Sequence, residues 1–387
     1  GFTLIVILRS GATKNLVPGK RPQTGNRKNK IVPDPRMCDD GSGNSVEVDL
    51  DGGGIMLKRI LGKSELEVSA LGMGCWAIGG PWAWAQPGEE HLQAGWGQID
   101  DAESIRAIHA GLDAGITFFD TAANYGAGHS ETILGQALSG RREGVVIATK
   151  FGHIINETEK TVYGDSTQIV ANVRQDVENS LRRLRTDTID IYQLHERQYA
   201  PELALELRAV LEGLVGEGKI RWYGWSTDLT DHARVFADGE HCTAIQFQLN
   251  ALYDNVEMRQ ICAAFNLAGI NKDPLHRGIL TGKFTLKSTF PADDIRSRTS
   301  FKEKDISKRL KAVEDLREIL TSGGRTMAQG ALAFIWGLDE RMIPIPGFKT
   351  VEQVMENAGA MAKGPLTNDQ IEHVQKIVEA YELEGAC

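Results

Sequence analysis

The chain has 387 residues, 41% of them apolar, which is enough for one large domain or two ordinary ones with a sizeable buried core. A formal net charge of −9 argues against a nucleic-acid partner, and no stretch reaches the roughly 18 apolar residues of a membrane helix. Five scattered cysteines (Cys38, Cys75, Cys242, Cys262, Cys387), without a CxxC pair or a Cys/His cluster at zinc spacing, point to a reduced, cytoplasmic setting.

Residues 1–54 show no helical or strand periodicity. They pass from a basic, acid-free stretch to an acidic, Gly-rich one ending in Gly52-Gly53-Gly54. The expectation is a disordered leader or a non-native extension over 1–54, followed by one domain over 55–387. A targeting segment fits less well, because helical amphipathicity is missing.

From Met56 onward, short apolar runs alternate with segments of helical period. Strands are expected at Ala70–Gly74, Thr117–Phe119, Val145–Thr149, Ile189–Leu194, Ile220–Trp225, Ala244–Phe247, Gly269–Asn271 and Met342–Ile345. The intervening helices are Asp101–Gly115, Ser130–Leu138, Thr167–Arg185, Pro201–Glu217, Asp231–Asp238, Val256–Phe265 and Met327–Trp336, with Thr350–Met361 and Asn368–Leu383 after the last strand. In Thr167–Arg185, Ile169, Val173, Val177 and Leu181 recur every four residues. Eight strand–helix units over roughly 330 residues fit a (β/α)8 TIM barrel with C-terminal helices. A doubly wound sheet also alternates, but no GxGxxG follows the first strand.

A barrel gathers its chemistry where the strands end. Those positions are Gly74, Asp120, Lys150, His195, Ser226, Gln246, Pro274 and Pro346, and Tyr125 lies five residues beyond Asp120. Singly, each ionisable residue has a plain reading as a helix cap, a surface lysine or a rim histidine. Together they form a chemical set. An ammonium favours the phenolate of a tyrosine whose ordinary pKa is about 10, a carboxylate fixes the lysine, and an imidazole donates to a carbonyl oxygen. The set is a proton-donating site for carbonyl reduction. A carboxylate-based barrel hydrolase would need a second facing acid, and only Asp120 is present at the strand ends.

Five ordered motifs resemble the aldo-keto reductase family: Gly115–Ala122 through Tyr125-Gly126 and Ser130-Glu131; Ala148-Thr149-Lys150; Ile189–His195; Leu275 with Arg277–Lys283; and Ile345-Pro346-Gly347 with Glu352–Asn357. They span nearly the whole chain after the leader. The resemblance implies Tyr125 as general acid, Lys150 and Asp120 as its tuning pair, His195 as the group that positions the carbonyl, and hydride from the nicotinamide C4 of NADPH. It implies no metal, and no ligand set for one is visible in the sequence. It places Gly74, Cys75 and Trp76 beside the nicotinamide ribose and Ser226 and Gln246 on the carboxamide. Thr227 stands beside Ser226 where many members have Asn. Pro274, Leu275, Gly278 and Lys283 fall to the pyrophosphate, and Gly347, Lys349, Thr350, Gln353, Glu356 and Asn357 to the adenosine end. Lys349 and the amides opening the following helix suit a 2′-phosphate, hence NADP over NAD; as a solvated loop lysine, Lys349 would leave NAD equally suited. Lys272 stands where many members carry an aromatic residue that stacks on the nicotinamide.

Trp82, Trp84 and Trp96 form a Trp-rich loop expected to line the substrate pocket with Tyr125 and His195, or else to serve loop packing. Phe151, His153, Trp222 and Trp225 are candidates for the pocket or the barrel wall. Alternation places Trp222 and Trp225 on opposite faces. The leading expectation is an NADPH-dependent reductase of a small carbonyl. The alternatives are a sugar or polyol dehydrogenase working oxidatively, and an NADPH-binding regulatory subunit with little turnover, as the potassium-channel β subunits partly are. Monomer and homo-oligomer are equally compatible with the sequence.

Overall fold

The computed structural model describes residues 56–85, 91–298 and 304–383, and the backbone of a short antiparallel pair, Met37–Asp39 with Ser45–Glu47. Strands of three residues are too short to leave an alternating pattern, which is why the sequence shows none there. The rest of the leader expected over 1–54 lies outside the described residues.

Eight parallel strands form the central sheet: β1 (Gly72–Gly74), β2 (Phe118–Asp120), β3 (Val146–Phe151), β4 (Ile189–Leu194), β5 (Ile220–Ser226), β6 (Cys242–Gln248), β7 (Ala268–Lys272) and β8 (Met342–Pro344). Each pairs with its neighbour in chain order. The sheet closes where the Gly74 amide donates to the Pro346 carbonyl at 3.0 Å and Gly74 bridges Gly347 in parallel. The architecture is therefore the expected (β/α)8 barrel. Its helices are α1 (Asp101–Asp113), α2 (His129–Ala137), α3 (Ile169–Leu184), α4 (Pro201–Gly216), α5 (Thr230–Ala237), α6 (Val256–Phe265), α7 (Lys304–Asp315), α8 (Arg317–Leu320), α9 (Met327–Leu338), α10 (Val351–Ala358) and α11 (Asn368–Glu379).

Two apolar cores follow from strand alternation. Inward-facing Phe118, Val146, Ala148, Ile191, Ala244, Ala268, Ile270, Ile343 and Ile345 fill the barrel. Leu61, one residue past the strand Lys58–Ile60, and Val68, in its antiparallel partner Glu67–Ser69, plug its N-terminal end. Outward-facing residues pack on the helices, among them the α3 stripe Ile169, Val173, Val177, Leu181 and Leu184. Each fully buried aliphatic side chain contributes about 1.5–3 kcal/mol. Helix α7 was not expected, because its charge-rich sequence shows only a thin apolar face; Ile306, Ala312 and Val313 are nonetheless buried.

Closure depends on close backbone approach. A Cβ on Gly74 would lie 2.5 Å from the Ile345 carbonyl oxygen, a contact no rotamer relieves. Gly74→Val is therefore expected to lower stability by about 2–3 kcal/mol, read as a lower urea midpoint. An unchanged midpoint would contradict closure through this contact.

Candidate active site

The alternation that fills the barrel also delivers its polar layer. One step beyond Phe118, Ala148, Ile191 and Ala244 on the same inward faces come Asp120, Lys150, Gln193 and Gln246. All four are buried. The Lys150 ammonium places its three protons on Asp120 Oδ1, on the Thr121 carbonyl at 2.9 Å and on the Tyr125 hydroxyl at 3.3 Å. Asp120 Oδ2 accepts from Gln246 Nε2 at 2.7 Å and Gln193 Nε2 at 3.1 Å. The carboxylate is thus satisfied on both oxygens, which a buried charge requires. Gln246, expected on a carboxamide, spends its amide nitrogen on Asp120 and retains its oxygen.

Tyr125 is delivered by a tight loop rather than a strand. Gly126, at φ +63°, is pressed so closely on Gly79 that a Cβ would sit 2.0 Å from the Gly79 carbonyl oxygen. This locks the loop after β2 against the loop after β1. The Trp76 ring stacks on Tyr125, 5.9 Å between centroids and 20° between planes.

Electrostatics leave the phenol protonated. Burial raises the pKa of Tyr125; Lys150 pulls it down by charge and hydrogen bond, and Asp120 pushes it back up, with a net rise. The pull expected from the ammonium is present but outweighed. Burial works against the Lys150 charge, yet Asp120 and the hydrogen bonds hold its pKa above the ordinary value. His195 is driven well below the ordinary imidazole range by burial and then by Lys150. It is therefore neutral, and since its Nδ1 is buried without a partner, Nε2 is the nitrogen left to meet a ligand.

These groups open into a cavity of about 590 Å3. Its lining includes Asp120, Tyr125 and His195, the aromatic residues Trp76, Trp82, Trp84 and Trp96, and the expected Gly74, Cys75, Ser226, Gln246, Pro274, Leu275, Gly278, Lys283, Gly347, Lys349, Gln353, Glu356 and Asn357. Three predicted residues do not line it. Lys150 lies beneath Tyr125. Thr227 is buried, with its hydroxyl donating to the Arg197 carbonyl at 2.9 Å. Thr350 caps α10, accepting from the Gln353 amide. Of the four further candidates for the wall, none lines the cavity. Phe151 stacks on Tyr192 in the outer core, Trp225 faces α5 and donates to the Glu196 carbonyl, Trp222 packs on His241, and His153 stands behind His195 at 5.3 Å. The Trp-rich loop serves packing as well as the wall: Trp82 shares a small core with Ala94, Ala127 and Val162, and strands Ala83–Trp84 and Thr161–Tyr163 pair to join the loops after β1 and β3.

Sequence reasoning missed Gln193, Asn124, Arg197, Asp228, Gln248, Arg277, Phe284 and Arg296. Inward alternation from His195 and Gln246 would have found Gln193 and Gln248. Asp228 binds Arg197 at 2.8 Å and Lys272 at 2.9 Å, so the lysine in the aromatic position is a fixed part of the wall. Arg296 had no local signal. It arrives on the segment after β7, where Trp96 bridges Asp294 and the Ile295 amide donates to the Gly95 carbonyl. There its guanidinium stacks 4.8 Å from the Trp96 ring centroid and 4.2 Å from that of Phe290. Outside the cavity, Glu212, Glu240 and His241 bring potential ligand atoms together, a grouping not foreseen from the sequence. Within it, Glu212 and His241 pair at 2.5 Å and Glu212 accepts from the Tyr223 hydroxyl at 2.6 Å.

At the far end, Lys349 Nζ donates to the Trp96 carbonyl. The amides expected to suit an anion are engaged within the chain: Lys349 N by Gln353, Val351 N by Glu103 and Gln353 N by Thr350. The cavity is nonetheless electropositive. Arg197, Lys272, Arg277, Lys283, Arg296, Arg298 and Lys349 line it against Asp120, Asp228, Asp273 and Glu356, in a chain whose overall charge is −9. A long, basic cleft with an aromatic, proton-donating end fits a phosphate-bearing dinucleotide.

Comparison with known proteins agrees with this geometry. The sequence profile described as "Aldo/keto reductase family" matches residues 70–379. Aldo-keto reductase YhdN of Bacillus subtilis is 34% identical over 282 residues, 71% of this chain and 79% of that protein. A glycerol dehydrogenase of Gluconobacter oxydans superposes with a TM-score of 0.70 at 31% identity, covering 85% of this chain and 97% of that one. An aldo/keto reductase of Klebsiella pneumoniae, solved with NADP and acetate, gives 0.60 at 25% identity, covering 83% and 96%.

The ionic core sets a contrast between two substitutions. Asp120→Asn leaves the Lys150 charge buried without its anion and should cost about 3–5 kcal/mol. Tyr125→Phe removes one accepted hydrogen bond and should cost about 1 kcal/mol. Chemical denaturation of both variants checks this, and equal losses would contradict it.

Proposed function

The chain belongs to the aldo/keto reductase family, and from that premise we propose that it transfers hydride between NADP(H) and a small carbonyl compound, with Tyr125 as the proton donor. The observation that carries this reading is the Lys150 ammonium, held by Asp120 and the Thr121 carbonyl and hydrogen-bonded to a Tyr125 hydroxyl that opens into the cavity.

When bound, the nicotinamide supplies or accepts the hydride. Ser226 and the free oxygen of Gln246 would hold its carboxamide, Pro274, Leu275, Gly278 and Lys283 its pyrophosphate, and Lys349, Gln353 and Asn357 its adenosine end. The chain's own residues do the rest. Neutral His195 donates from Nε2 to the carbonyl oxygen and orients it towards Tyr125, 5.7 Å away between ring centroids. Tyr125, protonated at neutral pH, gives its proton to that oxygen as negative charge develops there. Lys150 stabilises the resulting phenolate, because its second proton is already on Asp120 and its third is aimed at the phenol oxygen. Trp76, Trp82, Trp84 and Trp96 wall the pocket and keep water from it.

Run backwards, the same residues oxidise an alcohol: a Tyr125 phenolate takes the hydroxyl proton. The likeness to a glycerol dehydrogenase supports a polyol as an oxidative substrate. A regulatory dinucleotide-binding role needs neither the buried His195 nor the tuned phenol, and the completeness of the set favours turnover.

Tyr125→Phe should lower turnover with an aldehyde panel by about 10^3-fold or more while NADPH affinity, followed by nucleotide fluorescence, stays within about threefold; near-wild-type turnover would reject the mechanism. Lys349→Ala should weaken NADPH more than NADH, and equal losses would remove the 2′-phosphate assignment. Because the folded-state pKa of His195 is depressed, the imidazole stays neutral throughout the ordinary histidine range. The reductive rate should therefore show no loss of activity as pH rises from about 5.5 to 8. A descending limb in that window would mean that a protonated imidazole is required.

A further inference from the structure

Helix α10 opens beside the adenosine end of the cavity, directly after Lys349. The positive end of its dipole favours an anion. The chain already supplies one. Glu103, in the first turn of α1, accepts from the Val351 amide through Oε1 at 2.8 Å. Its other oxygen, Oε2, is gripped by Arg106 from Nε at 3.0 Å and Nη2 at 2.7 Å. Both oxygens are committed, so the carboxylate is pinned to the start of α10. Arg106 offsets its charge there, while the Lys349 ammonium is turned to the Trp96 carbonyl.

We propose that Glu103 is a cofactor-specificity residue, whose carboxylate on the first turn of α10 holds down the affinity for a 2′-phosphorylated dinucleotide relative to the unphosphorylated one. A 2′-phosphate brought to this end meets an amide that is already taken and a guanidinium, Arg106, whose charge is already held by Glu103. A ribose 2′-hydroxyl carries no charge into that competition. The preference of the site is then a balance: Lys349 draws the phosphate in, and Glu103 limits the gain. This inference rests on the reading that the adenosine end of the dinucleotide lies at Lys349 and Gln353.

The plain alternative is that Glu103 does no more than cap α10 from a neighbouring helix. Glu103→Gln separates the two, because a glutamine oxygen still accepts from Val351 N while the charge is gone. Kd values for NADPH and NADH are measured on the full-length protein by nucleotide fluorescence at low and high salt, so no turnover is needed. The proposal expects NADPH to bind about fivefold more tightly to the variant, the order of one partly screened charge beside another. NADH should stay within about twofold of wild type, and the NADPH gain should shrink near 1 M salt. NADPH unchanged, or both nucleotides shifted alike, would overturn it. Glu103→Ala, which removes the contact as well, reports the cap: it should weaken both nucleotides if α10 loosens, and its midpoint of unfolding shows whether the fold survives. Should wild-type protein bind neither nucleotide, the dinucleotide reading fails and this inference with it, a result distinct from tight but charge-insensitive binding.

Discussion

A lysine ammonium without solvent contact has to find its counter-charge inside the barrel, and Lys150 finds it in Asp120 one strand away. Removing two charges from water costs several kcal/mol per ion unless the geometry and the remaining hydrogen bonds return it. Here they do: Gln193 and Gln246 close the second carboxylate oxygen, and the Thr121 carbonyl takes a lysine proton. The last lysine proton is then left for one acceptor, the Tyr125 hydroxyl. The Tyr125 hydroxyl, the proposed acid, is thus held by the bonds that satisfy a buried ion pair.

Around this centre the loops have separate tasks. The Gly79–Gly126 contact and the Trp76–Tyr125 stack hold the phenol in place. The loops after β1 and β3 pair into a small sheet that presents Trp82 and Trp84. The segment after β7 lies against the β1 loop through backbone pairing at Trp96 and the stacked Arg296. The Trp96 carbonyl also receives Lys349, so the Lys349 end of the cavity and its aromatic wall meet in one residue.

Much of this was legible in the sequence, for physical reasons that differ by element. Strand β4 and helix α6 matched the expected bounds residue for residue, because a run rich in β-branched and aromatic residues and a 3.6 period leave little choice. Strand β3 ran two residues further than expected, so Lys150 is part of the strand and faces inward by the same alternation as Ala148. Asp120, Lys150 and His195 were legible because they lie at or just after strand ends, whereas Tyr125 stands on the loop five residues beyond Asp120. Gln193 was overlooked although the alternation pointed to it. Arg296 and Glu103 were not legible, since their roles come from contacts between loops or helices far apart in sequence. Thr227 and Thr350 show the opposite limit: each stands next to a lining residue, and each turns its hydroxyl to the backbone instead, as short hydroxyl side chains at element ends tend to do.

In the proposed mechanism Lys150 acts through Tyr125 and does not itself bind the nucleotide. Single-turnover hydride transfer from bound NADPH to an aldehyde, compared between wild type and Lys150→Met, tests it most directly. The transfer step should slow by about 10^3-fold or more, with the NADPH Kd within about threefold of wild type. Transfer at a near-wild-type rate in a folded variant would contradict it.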